Sequence, residues 1–193
     1  MPYQEDINFV NGLTSKAGRL SIADIGCGPT KYPGSIGIDV VPQPGVDVVH
    51  NLDQTPWPMD DNRFDLVLCN HLIEHVDDFV ATVKELHRIL KPGGYLIIRT
   101  PHYSHVDSFV DPTHKRHLTT ESFNYFVESG DKANWYTPEK FTKDRVALSF
   151  GSGLFSQTGK LLSRLSMRKY EKYWCRLFPA STLYFRLRKI EPA

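Results

Sequence analysis

Only three of the 193 residues are cysteine, Cys27, Cys69 and Cys175, and no two lie near one another in the chain. An odd, scattered set builds neither a disulfide framework nor a cysteine-based zinc module, so a reduced, cytoplasmic setting is the default expectation. Cys27 sits in a glycine turn and Cys69 ends an apolar run, and both read as small, half-buried residues. Long apolar runs are missing as well, which excludes a membrane helix. The opening MPYQEDINFV carries neither the basic nor the apolar region of a signal peptide. Charge of one sign is also lacking. With 23 Lys and Arg against 22 Asp and Glu the formal charge is +1, so nothing draws the whole protein to nucleic acid or anionic membrane. The basic residues scattered from Lys160 to Lys189 are the local exception, and they read as a solvated helix face plus a strand end. With no repeat, low-complexity tract or linker, residues 1–193 are expected to form one domain.

What is present alternates in type. A short lead-in helix is expected within residues 3–18, then strands over 19–25, 34–40 and 46–51. FDLVLC at 64–69 is a continuous apolar run bounded by polar signals, as in a strand buried on both faces. Asp77 to Leu90 is amphipathic, with Asp77 or Asp78 available as a cap, and Lys91-Pro92-Gly93-Gly94 stops it. Strands follow at 95–99, 144–150 and 181–189, the last two placed for an antiparallel addition. Strands alternating with helices argue for a parallel sheet covered on both sides.

The most telling stretch is Asp24-Ile25-Gly26-Cys27-Gly28, followed by Ile36-Gly37-Ile38-Asp39-Val40. An apolar strand enters a Gly-x-Gly turn whose backbone can approach a ligand closely. A second strand ends in a carboxylate placed to chelate a ribose diol. Together they point to an adenosine-bearing cofactor. A nicotinamide dinucleotide fits poorly, because the fingerprint's last glycine is Lys31 and Pro33 follows.

With Asn51-Leu-Asp53, the Pro56–Asp65 segment, Asn70-His-Leu-Ile-Glu-His75 and Arg88-Ile-Leu-Lys-Pro-Gly-Gly94 added in order, the chain resembles the class I S-adenosylmethionine-dependent methyltransferases. The subgroup is the broad small-molecule one with a Leu-x-Glu-His-like segment. The match covers about residues 19–100, leaving 101–193 for the acceptor-side loop and the last strands. It implies a Rossmann-like, doubly wound, mostly parallel seven-stranded α/β sheet with one antiparallel strand near the C-terminus. It implies methyl transfer from S-adenosyl-L-methionine to a small-molecule acceptor. A cofactor-binding regulatory module without turnover and a nucleic-acid methyltransferase are the alternatives. One departure stands out: residues 29–35 hold two prolines and a glycine where the family places a helix, so no more than a turn of helix is expected.

The resemblance assigns a cofactor site to Asp24, Gly26, Cys27, Gly28, Asp39, Val40, Leu52, Asp53, Asn70 and His71. Asp39 suits the ribose, Leu52 the ring face, and Asp53 the adenine amine, with Asn51 the alternative for that polar contact. Asp24 either reaches the ammonium or anchors backbone N–H groups. Asn70 and His71 line the methionine end, and Glu74 and His75 are expected one helical turn further on, sharing their face. Four histidines cluster after the fifth strand: His102, His105, His114 and His117. They read as a source of a general base, as a metal site, or as hydrogen-bonded loop residues. With x2 spacings and no cysteine the metal reading is the weakest, and no resident metal is expected. The candidate catalytic histidines are His71, His75, His105 and His114, with a packed, hydrogen-bonded structural role the alternative for His71 and His75. Arg99, Lys115 and Arg116 are cations for an anionic acceptor, and Phe109, Phe123, Tyr125, Phe126, Trp135 and Tyr136 a candidate aromatic wall.

Overall fold

A computed structural model describes residues 4–128 and 137–190; Trp135 and Tyr136 lie outside them. The strands are β1 (Ile22–Ile25), β2 (Ile36–Asp39), β3 (Val48–Val49), β4 (Phe64–Asn70), β5 (Leu90–Pro101), β6 (Phe141–Ser149) and β7 (Thr182–Lys189). They form one sheet in the order β3-β2-β1-β4-β5-β7-β6. Only β7 runs antiparallel, to both β5 and β6; β1 to β5 pair parallel. The helices are α1 (Gln4–Ala17), α2 (Phe79–Ile89), the single turn α3 (Asp107–Val110), α4 (Leu154–Leu165) and the short α5 (Met167–Lys169). The architecture is the α/β sheet expected, with its antiparallel strand near the C-terminus.

Alternation along each strand divides the core between the two faces. Val67, Cys69, Leu96 and Ile98 bury beneath α2 together with Trp57, Leu86 and Ile89. Leu66, Leu68, Ile97 and Tyr184 face the other way, onto Val10 of α1 and Tyr32. That two-sided burial is why FDLVLC reads as an unbroken apolar run. Asp78 caps α2 by accepting from Ala81 N at 2.9 Å. Arg88 then ties α2 to the chain beneath it, donating to Glu85 at 2.8 and 2.9 Å, to Met59 O at 2.7 Å and to Asp61 at 2.6 Å. The buried Glu85 in turn accepts from Trp57 N at 2.7 Å.

The structure departs from the sequence reading at three places. The Lys91–Gly94 segment ends α2 but does not break the strand that follows. Gly93 at φ +75° and a register shift opposite Phe64 and Leu66 let β5 begin at Leu90. Strand β3 keeps only two residues. Residues 71–76 form turns instead of the helical turn expected to align Glu74 and His75 with Asn70 and His71; His71 takes φ +51°, which a helix forbids. The shortened segment 29–35, in contrast, holds no helix, as its prolines require. Tyr32 from that segment and α1 cover the sheet face there.

Candidate active site

In an open α/β sheet a ligand binds outside the carboxyl ends of the strands, where the strand order reverses. Here that point lies between β1 and β4, with Gly26 on one side and Asn70 on the other. A cleft of about 150 Å³ opens beside it, lined by Gly26, Asp39, Val40, Asn51, Leu52, Asp53, Leu72, His75 and Val76. Five of the residues assigned to a cofactor from sequence meet there: Gly26, Asp39, Val40, Leu52 and Asp53. Leu72 and Val76, which sequence reasoning passed over, supply apolar wall. Their signal was the apolar spacing within LIEHV, hidden by reading that stretch as helix.

The turn is shaped by its neighbours' carboxylates. Asp39 accepts from Gly28 N at 2.9 Å through Oδ2 and from Val41 N at 3.1 Å through Oδ1. A carboxylate has about four acceptor sites, so both oxygens keep capacity for a ligand. Asp24 is buried and accepts from Tyr32 N at 2.7 Å. Burial pushes its carboxyl up to about 6, against the opposing pull of that N–H and of Lys31. Cys27 directs its Sγ toward Gly45 O at 3.5 Å, and burial pushes the thiol up to about 11. Asp53 spends one oxygen on Asp77 N at 2.7 Å. Asn70 accepts from Arg99 at 3.3 Å while its buried Nδ2 has no hydrogen-bond partner.

Gly26 adopts φ +70°, and a Cβ there would stand 3.0 Å from Leu72 Cβ. Gly26→Ala is therefore expected to cost about 1–3 kcal/mol in backbone strain and to push Leu72 into the cleft. Thermal melts and ligand titration check this. Gly28→Ala, at φ +56° with open space around it, should show the strain without the crowding.

The four loop histidines do not converge. His102 is fully buried, hydrogen-bonded to Ser104 Oγ at 2.7 Å and Glu171 Oε1 at 3.0 Å. His105 faces Asp107 at 3.1 Å. His117 meets Ser108 Oγ at 2.9 Å and stacks on Phe109 with ring centroids 4.2 Å apart. His114 reaches toward the 71–76 turn, its ring 4.6 Å from that of His75. Lys115 and Arg116 are committed to the 74–77 turn. Their N–H groups donate to Glu74 O at 2.8 and 3.1 Å, and their side chains to Asp77 at 2.5 and 2.6 Å. In the aromatic wall, Phe123 and Phe126 belong to the core, against Phe79, while Phe109 is exposed on α3. A larger cavity, about 610 Å³, lies on the α1 side of the sheet between α4 and strands β5, β7 and β6, with Arg99, Arg145, Lys160 and Arg164 in its lining. It shares no lining residue with the cleft at the glycine turn.

A reversal-point cleft with a glycine turn and a strand-end carboxylate facing it defines a nucleotide-binding α/β protein. The family described as a methyltransferase domain matches residues 10–144. The chain belongs to that family, among the class I S-adenosylmethionine-dependent methyltransferases. A demethylmenaquinone methyltransferase of Lysinibacillus sphaericus is 26% identical over 140 residues, 68% of this chain and 55% of that one. One of Staphylococcus saprophyticus is 42% identical over 52 residues, 27% of this chain and 22% of that one. The chain thus spans little more than half the length of the first of these relatives and about a fifth of the second. A solved SAM-dependent methyltransferase from Archaeoglobus fulgidus superposes with a TM-score of 0.59 at 18% identity, covering 94% of each chain. That likeness is one of fold. Among the described residues no helix is long and apolar enough to cross a membrane.

Proposed function

We propose that this protein transfers a methyl group from S-adenosylmethionine to a small-molecule acceptor, with residues 101–193 building the acceptor side of one domain. The observation that carries the reading is the cleft that gathers Gly26, Asp39, Leu52 and Asp53 at the reversal point. The bound donor supplies an electrophilic methyl on a sulfonium, so the protein's work is alignment and exclusion of water. Asp39 takes the ribose diol through its remaining lone pairs, and Asp53 the adenine amine. Leu52, Leu72 and Val76 hold the ring, with the Gly26–Gly28 backbone passing beneath the amino-acid end. Asp24 answers the ammonium. The unpartnered Nδ2 of Asn70 suits the methionine carboxylate, because a buried amide donor left without an acceptor is rare.

The acceptor enters between the 71–76 turn and the 102–117 loop. Exposed Val106, Phe109 and Val110 on and beside α3 favour an acceptor with apolar or ring character, and the names of the demethylmenaquinone methyltransferase relatives point the same way. Titration with S-adenosylmethionine, S-adenosylhomocysteine and NAD is expected to show binding of the first two alone. Tight NAD binding without response to the sulfur ligands would sink the reading. S-adenosylhomocysteine release across quinol, phenol, sugar and oligonucleotide acceptors then separates an enzyme from a silent binding module and a small-molecule acceptor from nucleic acid.

A further inference from the structure

The 71–76 turn and the 102–117 loop bring together three groups that the sequence keeps apart. One carboxylate oxygen of Glu74 and one ring nitrogen each of His75 and His114 all lie within 4.8 Å of one another. Glu74 is 1% exposed, and neither of its carboxylate oxygens has a hydrogen-bond partner. The nearest cationic candidate, Nδ1 of His71, stands 3.3 Å from Oε1 without hydrogen-bond geometry. Burying an ionised carboxylate is costly unless a charge or a metal compensates it, so this orphaned group asks for a cation.

The two imidazoles are prepared to supply the rest. Thr113 Oγ1 donates its one proton to Asp111 Oδ1 at 2.7 Å, so at 2.8 Å it accepts from His75 Nδ1–H. Ser108 O, a carbonyl, accepts from His114 Nδ1–H at 3.3 Å. Each ring is thereby held in the tautomer that leaves Nε2 with a free lone pair. Metal-bound histidines show the same pattern, the outer nitrogen fixed by a hydroxyl, carbonyl or carboxylate. The His75–Thr113–Asp111 chain even ends in a carboxylate held ionised, since its bonds from Thr113 keep Asp111 below the ordinary range. Docking of Lys115 and Arg116 on the 74–77 turn closes the arrangement.

We propose that Glu74, His75 and His114 form a binding site for a divalent transition-metal ion at the rim of the donor cleft, and that this ion holds a hydroxyl oxygen of the acceptor. Two imidazoles and one carboxylate suit Zn²⁺, Co²⁺ or Mn²⁺ better than Mg²⁺ or Ca²⁺. Three protein ligands leave coordination positions open, as catalytic sites do. His75 also lines the donor cleft, so an oxygen held on the ion stands at the edge of that cleft. The part about the acceptor rests on the methyltransferase reading. A cation on the hydroxyl lowers its pKa, and its proton passes to solvent. The oxygen then forms the new C–O bond as the donor's S–CH₃ bond breaks, with both electrons of that bond left on the thioether sulfur. The acceptor class is accordingly hydroxyl-bearing: a phenol, quinol or diol.

Chelator-treated full-length protein titrated with Co²⁺, followed by its visible absorption, and with Zn²⁺ in competition tests the site. Wild type is expected to take one ion per chain, and Mg²⁺ not to compete. His75→Ala and His114→Ala should each weaken binding beyond the roughly 10- to 100-fold that loss of an outer-shell partner costs, and Thr113→Ala should fall within that range. His117→Ala should bind as wild type does. Glu74→Gln is buried and tests folding as well, so His114→Ala, on the loop, decides the question if Glu74→Gln does not fold. Failure of the wild type to bind Co²⁺ or Zn²⁺, or stoichiometric binding that survives both histidine variants, overturns the site. S-adenosylhomocysteine titrated separately keeps the two ideas apart. Metal binding without any affinity for that ligand removes the methyl-transfer reading alone, and the reverse removes the metal site alone. Methyl transfer to hydroxyl acceptors that proceeds equally with and without the ion overturns its proposed role toward the acceptor.

Discussion

Asp39→Ala should weaken binding of S-adenosylmethionine at least about a hundredfold. Two charge-assisted hydrogen bonds to the ribose are lost, each worth about 1.5–3 kcal/mol, and about 1.4 kcal/mol is a factor of ten. The same carboxylate also holds the N–H groups of Gly28 and Val41, so the variant loosens the turn on which the amino-acid end rests. Asp39→Asn separates the two effects. It keeps an acceptor for one of those N–H groups but lacks the charge, and its affinity should fall between wild type and alanine. Isothermal titration with S-adenosylhomocysteine reads the difference, and a circular dichroism melt confirms that both variants fold. Unchanged affinity in a folded alanine variant would move the ribose contact elsewhere.

Asp24→Asn should produce opposite changes in stability and binding. With its carboxyl raised from 3.8 to about 6 by burial, the folded state holds the proton more tightly than the unfolded chain. The stabilisation is therefore fully present below about pH 4 and is lost as pH rises through about 6. A shift of that size corresponds to about 3 kcal/mol. Asparagine is neutral at every pH and still accepts from Tyr32 N. The variant should consequently melt several degrees higher than wild type near pH 7.5 and gain nothing near pH 4. If Asp24 answers the donor's ammonium, the same variant binds S-adenosylmethionine about tenfold or more weakly. Wild-type affinity should also fall by up to tenfold per pH unit below about 6, as the carboxylate takes up a proton. A stabilised variant with full affinity would leave Asp24 as an anchor of Tyr32 and no more.

The legible and illegible parts of this protein differ in what encodes them. The meeting of Gly26, Asp39, Leu52 and Asp53 in one cleft is readable because each sits at or shortly after the end of an apolar strand with a glycine or proline near it, and parallel strands place such ends on one edge. The two C-terminal strands are readable for the same reason. Leu72 and Val76 are not, because the 71–76 segment has a helical apolar spacing yet turns at His71. His102 looks like loop chemistry, but its partner Glu171 lies in a segment whose return to the loop no periodicity announces. The approach of His114 to His75 depends on two backbone N–H groups finding Glu74 O, a contact written in no local pattern. The start of strand β5 at Leu90 is hidden because Gly93 and Gly94 stop a helix and continue a bulged strand with equal ease.

The crossover from β1 to β2 has no helix, and the bonds from Ser35 to Tyr32 O close a single turn in place of a helix's ladder. It is held instead by carboxylates on β1, on β2 and just ahead of β3: Asp24 on Tyr32, Asp39 on Gly28, and Asp47 on Lys31. Two of these three carboxylates are the ones proposed to grip the donor. Ordering the crossover and binding the donor are then one equilibrium, since a local opening that frees the loop also dissolves the site. Donor binding here should carry a larger favourable enthalpy, and a larger opposing entropy, than binding to a site built on a rigid helix terminus, so affinity should decline more steeply with temperature.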